Sequence, residues 1–284
     1  MSAGATTVAA LTEEGTSRFA QAGPYRVHFH EAGHGPAVIM LHGGGPGATG
    51  WSNFSSNIGP FAERHRTLLV DMLNFGGSDS VVFDSEPSTT VRARALRDVM
   101  DTLGIERASF VGNSMGGTTA MAFAVDYPER TERLVLMGAA GMTRTVVAPQ
   151  PTEGHRRLAE AGADPSLETM QSLVNTMLYD PSIVSRDMLE ARVRAARNES
   201  HRSAAARSTA PWRDQAGEFA RVRAKTLVVW GREDRVNPLE IGLQLLRDIP
   251  DSRLLVFREC GHWAQIEHAA EFNRVALEFL AAAA

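Results

Sequence analysis

The chain has 284 residues, of which 43% are hydrophobic, 29 are Lys or Arg and 33 are Asp or Glu, so its formal net charge is -4. A chain of this length and composition can build one or two domains with a substantial core. The near balance of charge excludes the strongly basic surface of a nucleic-acid or anionic-membrane binder. No apolar run approaches the ~20 residues that cross a bilayer, so we expect neither a membrane nor a nucleic acid as partner.

Two residue counts exclude further chemistries. Lys225 is the only lysine, and it follows no glycine-rich loop, which argues against a P-loop nucleotide site. Cys260 is the only cysteine, which excludes an internal disulfide and a cysteine-rich zinc cluster and fits a reducing compartment. The first 20 residues have no basic segment before an apolar run, so we expect no export signal and a cytoplasmic protein.

Short apolar runs alternate with segments of helical periodicity, as in βαβ units that form a parallel sheet. The segment Tyr25–His30 alternates and is predicted as an exposed antiparallel edge strand. The remaining predicted strands, in chain order, are Ala37–Leu41, Thr67–Val70, Ala108–Val111, Arg133–Met137, Thr226–Trp230 and Arg253–Phe257. Periodicity predicts helices over Val91–Leu103, Thr118–Tyr127, Leu239–Asp248 and Glu271–Leu280.

Residues 145–211 interrupt this alternation. They contain helical periodicity and five prolines but no run typical of a buried strand. We expect a helical lid domain over residues 145–211, inserted after the sixth strand, and an α/β core domain formed by residues 1–144 and 212–284. Ligands of open α/β sheets bind at the carboxyl edge of the strands, so a lid there would cover a ligand.

A glycine-rich turn, GNSMGG, joins a predicted strand to a predicted helix at Gly112–Gly117. This is the context of a nucleophile elbow, in which a strained turn exposes a serine at a helix N-terminus. Small residues are required at Gly112 and Gly116 because a Cβ would collide with the adjoining strand and helix. Ser114 is therefore the candidate nucleophile.

A serine hydroxyl needs a histidine to take its proton and an acid to orient that histidine. In this arrangement the acid and the histidine follow the serine in the chain. Of the four histidines after Ser114, His262 follows a predicted strand directly, whereas the others lie in the predicted lid or near the last helix. The loop after the strand Thr226–Trp230 offers two carboxylates; the shorter Asp234 is the predicted orienting acid, and Glu233 stays possible.

A second glycine-rich loop, HGGGPG, follows the strand Ala37–Leu41. Loops of this type supply one backbone N–H of an oxyanion hole, and the residue after the nucleophile supplies another. The predicted donors are the amides of Gly44 and Met115, each worth about 3 to 4 kcal/mol in the transition state. The histidines lack zinc-site spacing and no dinucleotide fingerprint follows a strand, so we expect neither a metal nor an organic cofactor.

These motifs resemble the meta-cleavage product hydrolases, carbon-carbon bond hydrolases of the α/β-hydrolase fold that serve bacterial aromatic catabolism. The resemblance covers most of the chain and is carried by LHGGGPGATGWSNF, GNSMGG, PTEG, LYD, WGREDRVNPL and CGHWAQIEH. It implies a mostly parallel sheet flanked by helices, and a serine-dependent enzyme without cofactors. The implied reaction cleaves a small-molecule 2-hydroxy-6-oxo-hexa-2,4-dienoate to 2-hydroxypenta-2,4-dienoate and a carboxylic acid. The resemblance also implies a homodimer or higher homo-oligomer.

The same resemblance places Asn53, Asn113, Arg192 and Trp263 around the dienoate. The sequence adds support for Arg192, which lies on a predicted helix over residues 186–197, within an apolar stripe of Met188, Leu189, Val193 and Ala196. An arginine on a buried face requires an anion, and a carboxylate would bind its planar fork. An arginine stem that packs on the stripe with its head in water fits the same pattern.

Two departures from the family pattern leave questions open. Leu73 and Asn74 stand where relatives commonly have Pro-Gly, and Asn tolerates a left-handed turn. The resemblance implies that Val236 and Asn237 occupy a place that varies within the family and lines the distal pocket, so the 6-substituent stays open among alkyl, phenyl and polycyclic groups. Direct attack by Ser114 and activation of water are both compatible with the motifs. Two rival functions are a serine esterase or lactonase with the same triad and a non-catalytic ligand receptor.

Overall fold

The computed structural model describes residues 11–141 and 145–282. The N-terminal stretch considered for an export signal and the predicted core boundary at residue 144 therefore lie wholly or partly outside the described residues. The strands are β1 (Ser17–Ala22), β2 (Tyr25–Ala32), β3 (Ala37–Leu41), β4 (Arg66–Val70), β5 (Ala108–Asn113), β6 (Thr131–Met137), β7 (Lys225–Gly231) and β8 (Ser252–Phe257). They form one sheet in the order β1-β2-β4-β3-β5-β6-β7-β8.

Helices cover both faces of the sheet and its carboxyl edge. They are α1 (Glu13–Thr16), α2 (Gly50–Ala62), α3 (Ser88–Thr102), α4 (Met115–Asp126), α5 (Glu153–Ala163), α6 (Leu167–Met177), α7 (Arg186–Ala196), α8 (Glu199–Arg207), α9 (Leu239–Asp248), α10 (Ala264–Glu267) and α11 (Ala269–Ala281). Short 3-10 turns span Pro128–Arg130, Pro181–Ile183 and Phe219–Arg221. Within the described residues, no helix combines the length and apolar character needed to cross a membrane.

The predicted α/β-hydrolase fold class is confirmed. The strands from β3 to β8 pair in parallel, while β2 pairs in antiparallel fashion with both β1 and β4. The six predicted parallel strands are all present, and their observed bounds differ from the predicted ones by at most two residues. Branched apolar runs of this kind predict parallel strands reliably because both faces of a parallel strand are buried.

The prediction that Tyr25–His30 forms an exposed edge strand is wrong. β2 lies between β1 and β4, and its segment from Val27 to His30 is buried. The true edge strand, β1, escaped prediction because SRFAQA carries one large apolar side chain, Phe19, and that side chain is exposed. A strand held mainly by backbone pairing with its neighbour leaves a weak hydrophobic pattern.

Helix α2 also escaped prediction, because GWSNFSSNIGPFA is poor in residues that favour helices. It begins with a capping box at Thr49: the Thr49 hydroxyl accepts from the Ser52 N–H at 3.0 Å, and the Ser52 hydroxyl accepts from the Thr49 N–H at 2.9 Å. Phe54, Ile58 and Phe61 are fully buried against the sheet. This packing stabilises α2 and places Asn53 at the carboxyl edge of β3.

The four helices α5 to α8 lie between β6 and β7 in the chain. Helices α5, α6 and α7 share an apolar cluster that includes Ala161, Met170 and Val193. Val236 and Trp263, from the loops after β7 and β8, belong to the same cluster. These three helices therefore pack over the carboxyl edge of the sheet.

Candidate active site

Ser114 lies at the sharp turn between β5 and α4. Its backbone has φ +52° and ψ -116°, a region that L-residues rarely adopt. A Cβ at Gly112 would come within 2.5 Å of the Gly117 nitrogen, and a Cβ at Gly116 would collide with the Leu41 carbonyl. The Ser114 N–H donates to the Met137 carbonyl at 2.8 Å, which ties the turn to β6. The local sequence therefore produces the strained elbow that was predicted from it.

Asp234 and His262 form a buried pair at the ends of β7 and β8. Oδ2 of Asp234 lies 2.7 Å from Nδ1 of His262, and each side chain is 1% exposed. Oδ1 of Asp234 accepts from the N–H groups of Val236 and Asn237 at 2.8 and 2.9 Å. The carboxylate is thus held by its own loop, so it can orient the imidazole and stabilise its charge.

Glu233, the alternative acid, makes different contacts. Its carboxylate accepts from the Cys260 N–H at 3.1 Å and pairs with Arg232 at 2.6 Å, near the surface. It makes no contact with His262 among the interactions of the described residues. The structure therefore brings Asp234, and not Glu233, to the histidine.

Ser114 and His262 line one cavity of about 250 Å³. Within the described part of the chain, neither the Ser114 hydroxyl nor Nε2 of His262 makes a hydrogen bond. Both groups are therefore able to form hydrogen bonds with a ligand in the cavity. Hydrogen bonds between nucleophile and base are often long in unliganded enzymes and tighten with substrate. The His262–Asp234 pair is thus hydrogen-bonded, whereas Ser114 and His262 share the cavity without a hydrogen bond between them.

The loop after β3 brings Gly44 beside Met115. A Cβ on Gly44 would lie 3.2 Å from the Met115 Cβ, a tight contact that glycine avoids. Met115 is the first residue of α4, where helix geometry leaves an N–H without an intrahelical acceptor. Both residues line the cavity. Their amides can therefore address an oxygen bound next to Ser114.

His42 holds this loop in place from below. The ring is fully buried; its Nδ1 lies 2.8 Å from the Gly43 carbonyl, and its Nε2 accepts from the Met72 N–H at 3.0 Å. Burial is the main cause that lowers the pKa of His42 to about 4. The imidazole is neutral at pH 7, which matches one ring nitrogen that donates and one that accepts.

Asn53 and Asn113 both line the cavity, and both also fasten the loops around it. Oδ1 of Asn53 accepts from the Gly43 N–H at 3.3 Å. Nδ2 of Asn113 donates to the carbonyls of Met137 and His262, at 3.3 and 3.1 Å, while its buried Oδ1 has no partner. Their position agrees with contact to a ligand, and their hydrogen bonds give them a second role in loop positioning.

Arg192 projects from α7 into the cavity and is 8% exposed. Within the described chain its guanidinium makes no hydrogen bond or ion pair, and its contact is with the Trp263 ring, 5.1 Å from the centroid. Burial lowers its pKa to about 10, so it stays charged at neutral pH. Leu189 and Val193 share its buried face as expected, whereas Met188 is exposed and does not belong to the stripe.

Two further cavity residues were missed by the sequence reasoning. His155, from α5, is half-buried, and its pKa is lowered mainly by burial and next by the charge of His262. Arg92, from α3, is buried and also lines the cavity. The signal for Arg92 was present, since it shares a helical face with the buried Ala95, Leu96 and Val99. The same reasoning that identified Arg192 would have found it.

The described residues do not provide the cluster of ligands that a metal site requires. Across residues 11–141 and 145–282, no group of three or more His, Cys, Asp or Glu side chains is placed to hold a metal ion. The cavity offers guanidinium, imidazole, hydroxyl, side-chain amide and backbone N–H donors, which suit anions and oxyanions.

Comparison with known proteins agrees with this geometry. A family model described as alpha/beta hydrolase fold matches residues 36–269. The chain is 48% identical over 282 residues to a 2-hydroxy-6-oxo-6-phenylhexa-2,4-dienoate hydrolase of Comamonas testosteroni, with 95% of this chain and 98% of that protein covered. The chain belongs to the meta-cleavage product hydrolases of the α/β hydrolase fold.

Other meta-cleavage product hydrolases show the spread of the family. A 2-hydroxy-6-oxononadienedioate/2-hydroxy-6-oxononatrienedioate hydrolase of Comamonas testosteroni is 45% identical over 278 residues, covering 95% of this chain and 94% of that protein. The solved structure of the meta-cleavage product hydrolase from Pseudomonas fluorescens IP01 superimposes with a TM-score of 0.80 at 33% identity, covering 92% of this chain and 96% of that one. Relatives of nearly equal similarity thus carry different substrate names.

Proposed function

We propose that this chain hydrolyses the C5–C6 bond of a 2-hydroxy-6-oxo-hexa-2,4-dienoate. The products are 2-hydroxypenta-2,4-dienoate and a carboxylic acid. The observation that carries the proposal is the placement of the unpaired Arg192 guanidinium in the same cavity as Ser114 and His262. An ester hydrolase has no use for a buried cation there, whereas a dienoate carboxylate supplies its missing anion.

The chemistry needs an electron sink next to the bond that breaks. Arg192, backed by Trp263, holds the C1 carboxylate while the 2-hydroxydienoate becomes its 2-oxo tautomer, with the enol proton delivered to C5. His262 takes the proton of the nucleophile, which is the Ser114 hydroxyl or a water held beside it. Asp234 stabilises the imidazolium that results.

Attack at C6 converts its carbonyl to an oxyanion, which the amides of Gly44 and Met115 stabilise. When the C5–C6 bond breaks, its electron pair moves into the 2-oxo system and forms a dienolate with its negative charge on the C2 oxygen. His262 returns its proton to that leaving dienolate. One water is consumed overall, and its oxygen ends in the released carboxylic acid.

The lid assignment belongs to the same proposal. We infer that residues 145–211 act as one lid domain over a core formed by the rest of the chain. Support comes from Arg192, Met177 and His155, which reach into the cavity from α7, α6 and α5. A lid that carries the carboxylate-binding residue would close as the dienoate head binds.

Location and assembly are also proposals. We infer a cytoplasmic enzyme, because its one cysteine, Cys260, is buried and no disulfide is available to it within the chain. The homodimer or higher homo-oligomer rests on the family resemblance. Light scattering of the purified protein should give a mass of at least twice that of one chain; a monomer at micromolar concentration would contradict this.

The deciding experiment compares two substrates on the same enzyme. Loss of absorbance of 2-hydroxy-6-oxo-6-phenylhexa-2,4-dienoate should proceed with kcat/KM at least about 100-fold above that for a p-nitrophenyl ester, because only the dienoate uses Arg192. Ser114→Ala should lower dienoate turnover by about 1000-fold or more. Fast ester and negligible dienoate hydrolysis would establish an esterase instead, and absence of any turnover would favour a ligand receptor.

A further inference from the structure

A second buried arginine, Arg92, faces the cavity without a counterion. It is 8% exposed, and among the described residues no carboxylate lies within ion-pair distance of its guanidinium. Nη1 and Nη2 make long hydrogen bonds, 3.3 Å to the Ser88 hydroxyl and 3.4 Å to the Leu73 carbonyl, and Nε has no partner. The nearest rings are those of Phe83 and Phe75. The side chain therefore has hydrogen-bonding capacity that the protein leaves unused.

Arg92 lies where the catalytic cavity meets a larger one. The second cavity, of about 610 Å³, extends between the core and the helices α7 and α8. The two cavities share the lining residues Gly44, Ala48, Ser88, Thr89, Arg92 and Trp212. A substrate whose dienoate binds beside Arg192 and Ser114 in the catalytic cavity can therefore reach Arg92 with a group carried on its 6-substituent.

The surroundings of Arg92 favour an anion in two further ways. No acidic side chain lines either cavity among the described residues, whereas four arginines do: Arg92, Arg192, Arg202 and Arg213. Of these, Arg213 already pairs with Asp126 and Glu218, whereas Arg92 and Arg192 have no carboxylate partner within the described chain. Ser88 and Thr89 are the first two residues of α3, whose N-cap, Pro87, supplies no side-chain acceptor. The positive end of this 15-residue helix thus points to the same place as the guanidinium.

One carboxylate cannot balance this arrangement. Arg192 and Arg92 are both buried cations, and an unpaired buried charge is costly unless a ligand compensates it. Burial lowers the pKa of Arg92 to about 10, so it remains charged at neutral pH. A substrate with one carboxylate would neutralise one guanidinium and leave the other unpaired.

We propose that Arg92 binds a second carboxylate, carried on the 6-substituent, so that the substrate class of this chain is a dianionic ring-fission dienoate. The inference rests on the proposed function and adds the distal group that the substrate carries. For a nine-carbon substrate of this class, the released acid is succinate. Named relatives at 45 and 48% identity act on dioate and phenyl substrates respectively, so their similarity does not decide between the two classes.

The test compares two dienoates that differ only at the far end of the chain. One is 2-hydroxy-6-oxonona-2,4-dienedioate, and the other is 2-hydroxy-6-oxonona-2,4-dienoate, in which a methyl group replaces the terminal carboxylate. We expect the wild-type kcat/KM for the diacid to exceed that for the monoacid by about 10- to 100-fold, the value of one charge-assisted contact. A ratio of one or less would overturn the proposal.

Arg92→Gln should lower this ratio by at least about tenfold, because it removes the charge but keeps a polar side chain. Arg94→Gln is the matched control, since Arg94 lies on the same helix and pairs with Glu86 at the surface. It should leave the ratio unchanged. If Arg92 only braced the loop that contains Leu73, both substrates would lose activity equally and the ratio would stay at its wild-type value, which would contradict the proposal.

Two measurements distinguish a wrong Arg92 assignment from a variant that does not fold and from a wrong proposed function. If Arg92→Gln does not fold, the wild-type ratio still decides, together with product inhibition: succinate should inhibit at about tenfold lower concentration than butyrate, and equal inhibition would count against the second anion site. Turnover of neither dienoate, with active ester hydrolysis, would overturn the proposed function and the Arg92 assignment with it. Equal turnover of both would overturn the Arg92 assignment alone.

Discussion

Nδ1 of His262 lies 2.7 Å from Oδ2 of Asp234 although 28 residues separate them in the chain. The contact exists because β7 and β8 are parallel neighbours, so their carboxyl ends deliver both loops to the same edge of the sheet. The same edge receives Ser114 from β5, two strands away from β7. The proximity of these three side chains thus depends on the order of the strands in the sheet more than on any local motif.

Asp234→Asn should lower kcat for the dienoate by about 1000- to 10,000-fold, because an amide cannot stabilise the imidazolium of His262 and can favour the wrong tautomer. Steady-state rates at saturating substrate measure this effect. Glu233→Gln is the matched control: it neutralises the adjacent carboxylate, which contacts Arg232 and Cys260 instead. Its rate should stay within about twofold of wild type. A larger loss in Glu233→Gln than in Asp234→Asn would reverse the acid assignment.

Arg192→Met should lower kcat/KM for dienoates by about 10- to 100-fold, with no loss of stability. The catalytic loss follows from the missing charge-assisted contact to the carboxylate. Stability should be equal or higher, because the substitution replaces an unpaired buried charge with an apolar side chain of similar length. Kinetics and urea unfolding measure the two effects. Arg194→Gln, on the exposed side of the same helix, should change neither; a large kinetic loss there would point to the helix as a whole.

Gly116→Ala should destabilise the fold by about 3 kcal/mol or more, because its Cβ would collide with the Leu41 backbone, which cannot move without disturbing β3. Gly162→Ala is a control with the same chemical change at an exposed position of α5, where the nearest atom to a new Cβ is 3.8 Å away. There the substitution should stabilise by about 0.5 to 1 kcal/mol. Urea unfolding of both variants checks the contrast, and a stable, active Gly116→Ala enzyme would contradict the packed elbow.

The buried His42 predicts a loss of stability at acid pH. Its pKa in the fold is about 4, below the value near 6.5 of the unfolded chain, so protonation favours unfolding. Its contribution is complete above about pH 6.5 and is lost as the pH falls toward 4, by up to about 3 kcal/mol. Burial lowers the pKa of other histidines in the same direction: His30, His65 and His155.

Urea unfolding between pH 7 and pH 4.5 measures this dependence. His42→Asn should be less stable than wild type at pH 7 and should show a flatter pH profile, because the group that takes up the proton is gone. His34→Gln, at an exposed position, should follow the wild-type profile. A His42→Asn profile as steep as that of the wild type would assign the acid sensitivity to other groups.

Much of this protein could be predicted from the sequence because its decisive patterns are local. Buried parallel strands read as continuous apolar runs, and the strained turn at Ser114 requires the glycines that stand around it. The motif order of serine, acid and histidine then restricted the candidates to a few residues. Local patterns failed for β1 and α2, since backbone pairing with β2 stabilises β1 and packing against the sheet stabilises α2, and neither contribution is visible as intrinsic propensity.

What only the tertiary structure decided is which side chains meet. Asp234 and Glu233 are neighbours with similar chemistry, and the fold of one loop selects Asp234 for His262. Arg92 and Arg192 lie 100 residues apart, yet both enter one cavity without an acidic partner among the described residues. Sequence patterns report how each element buries its own face, whereas the balance of charge inside a cavity depends on elements that are distant in the chain.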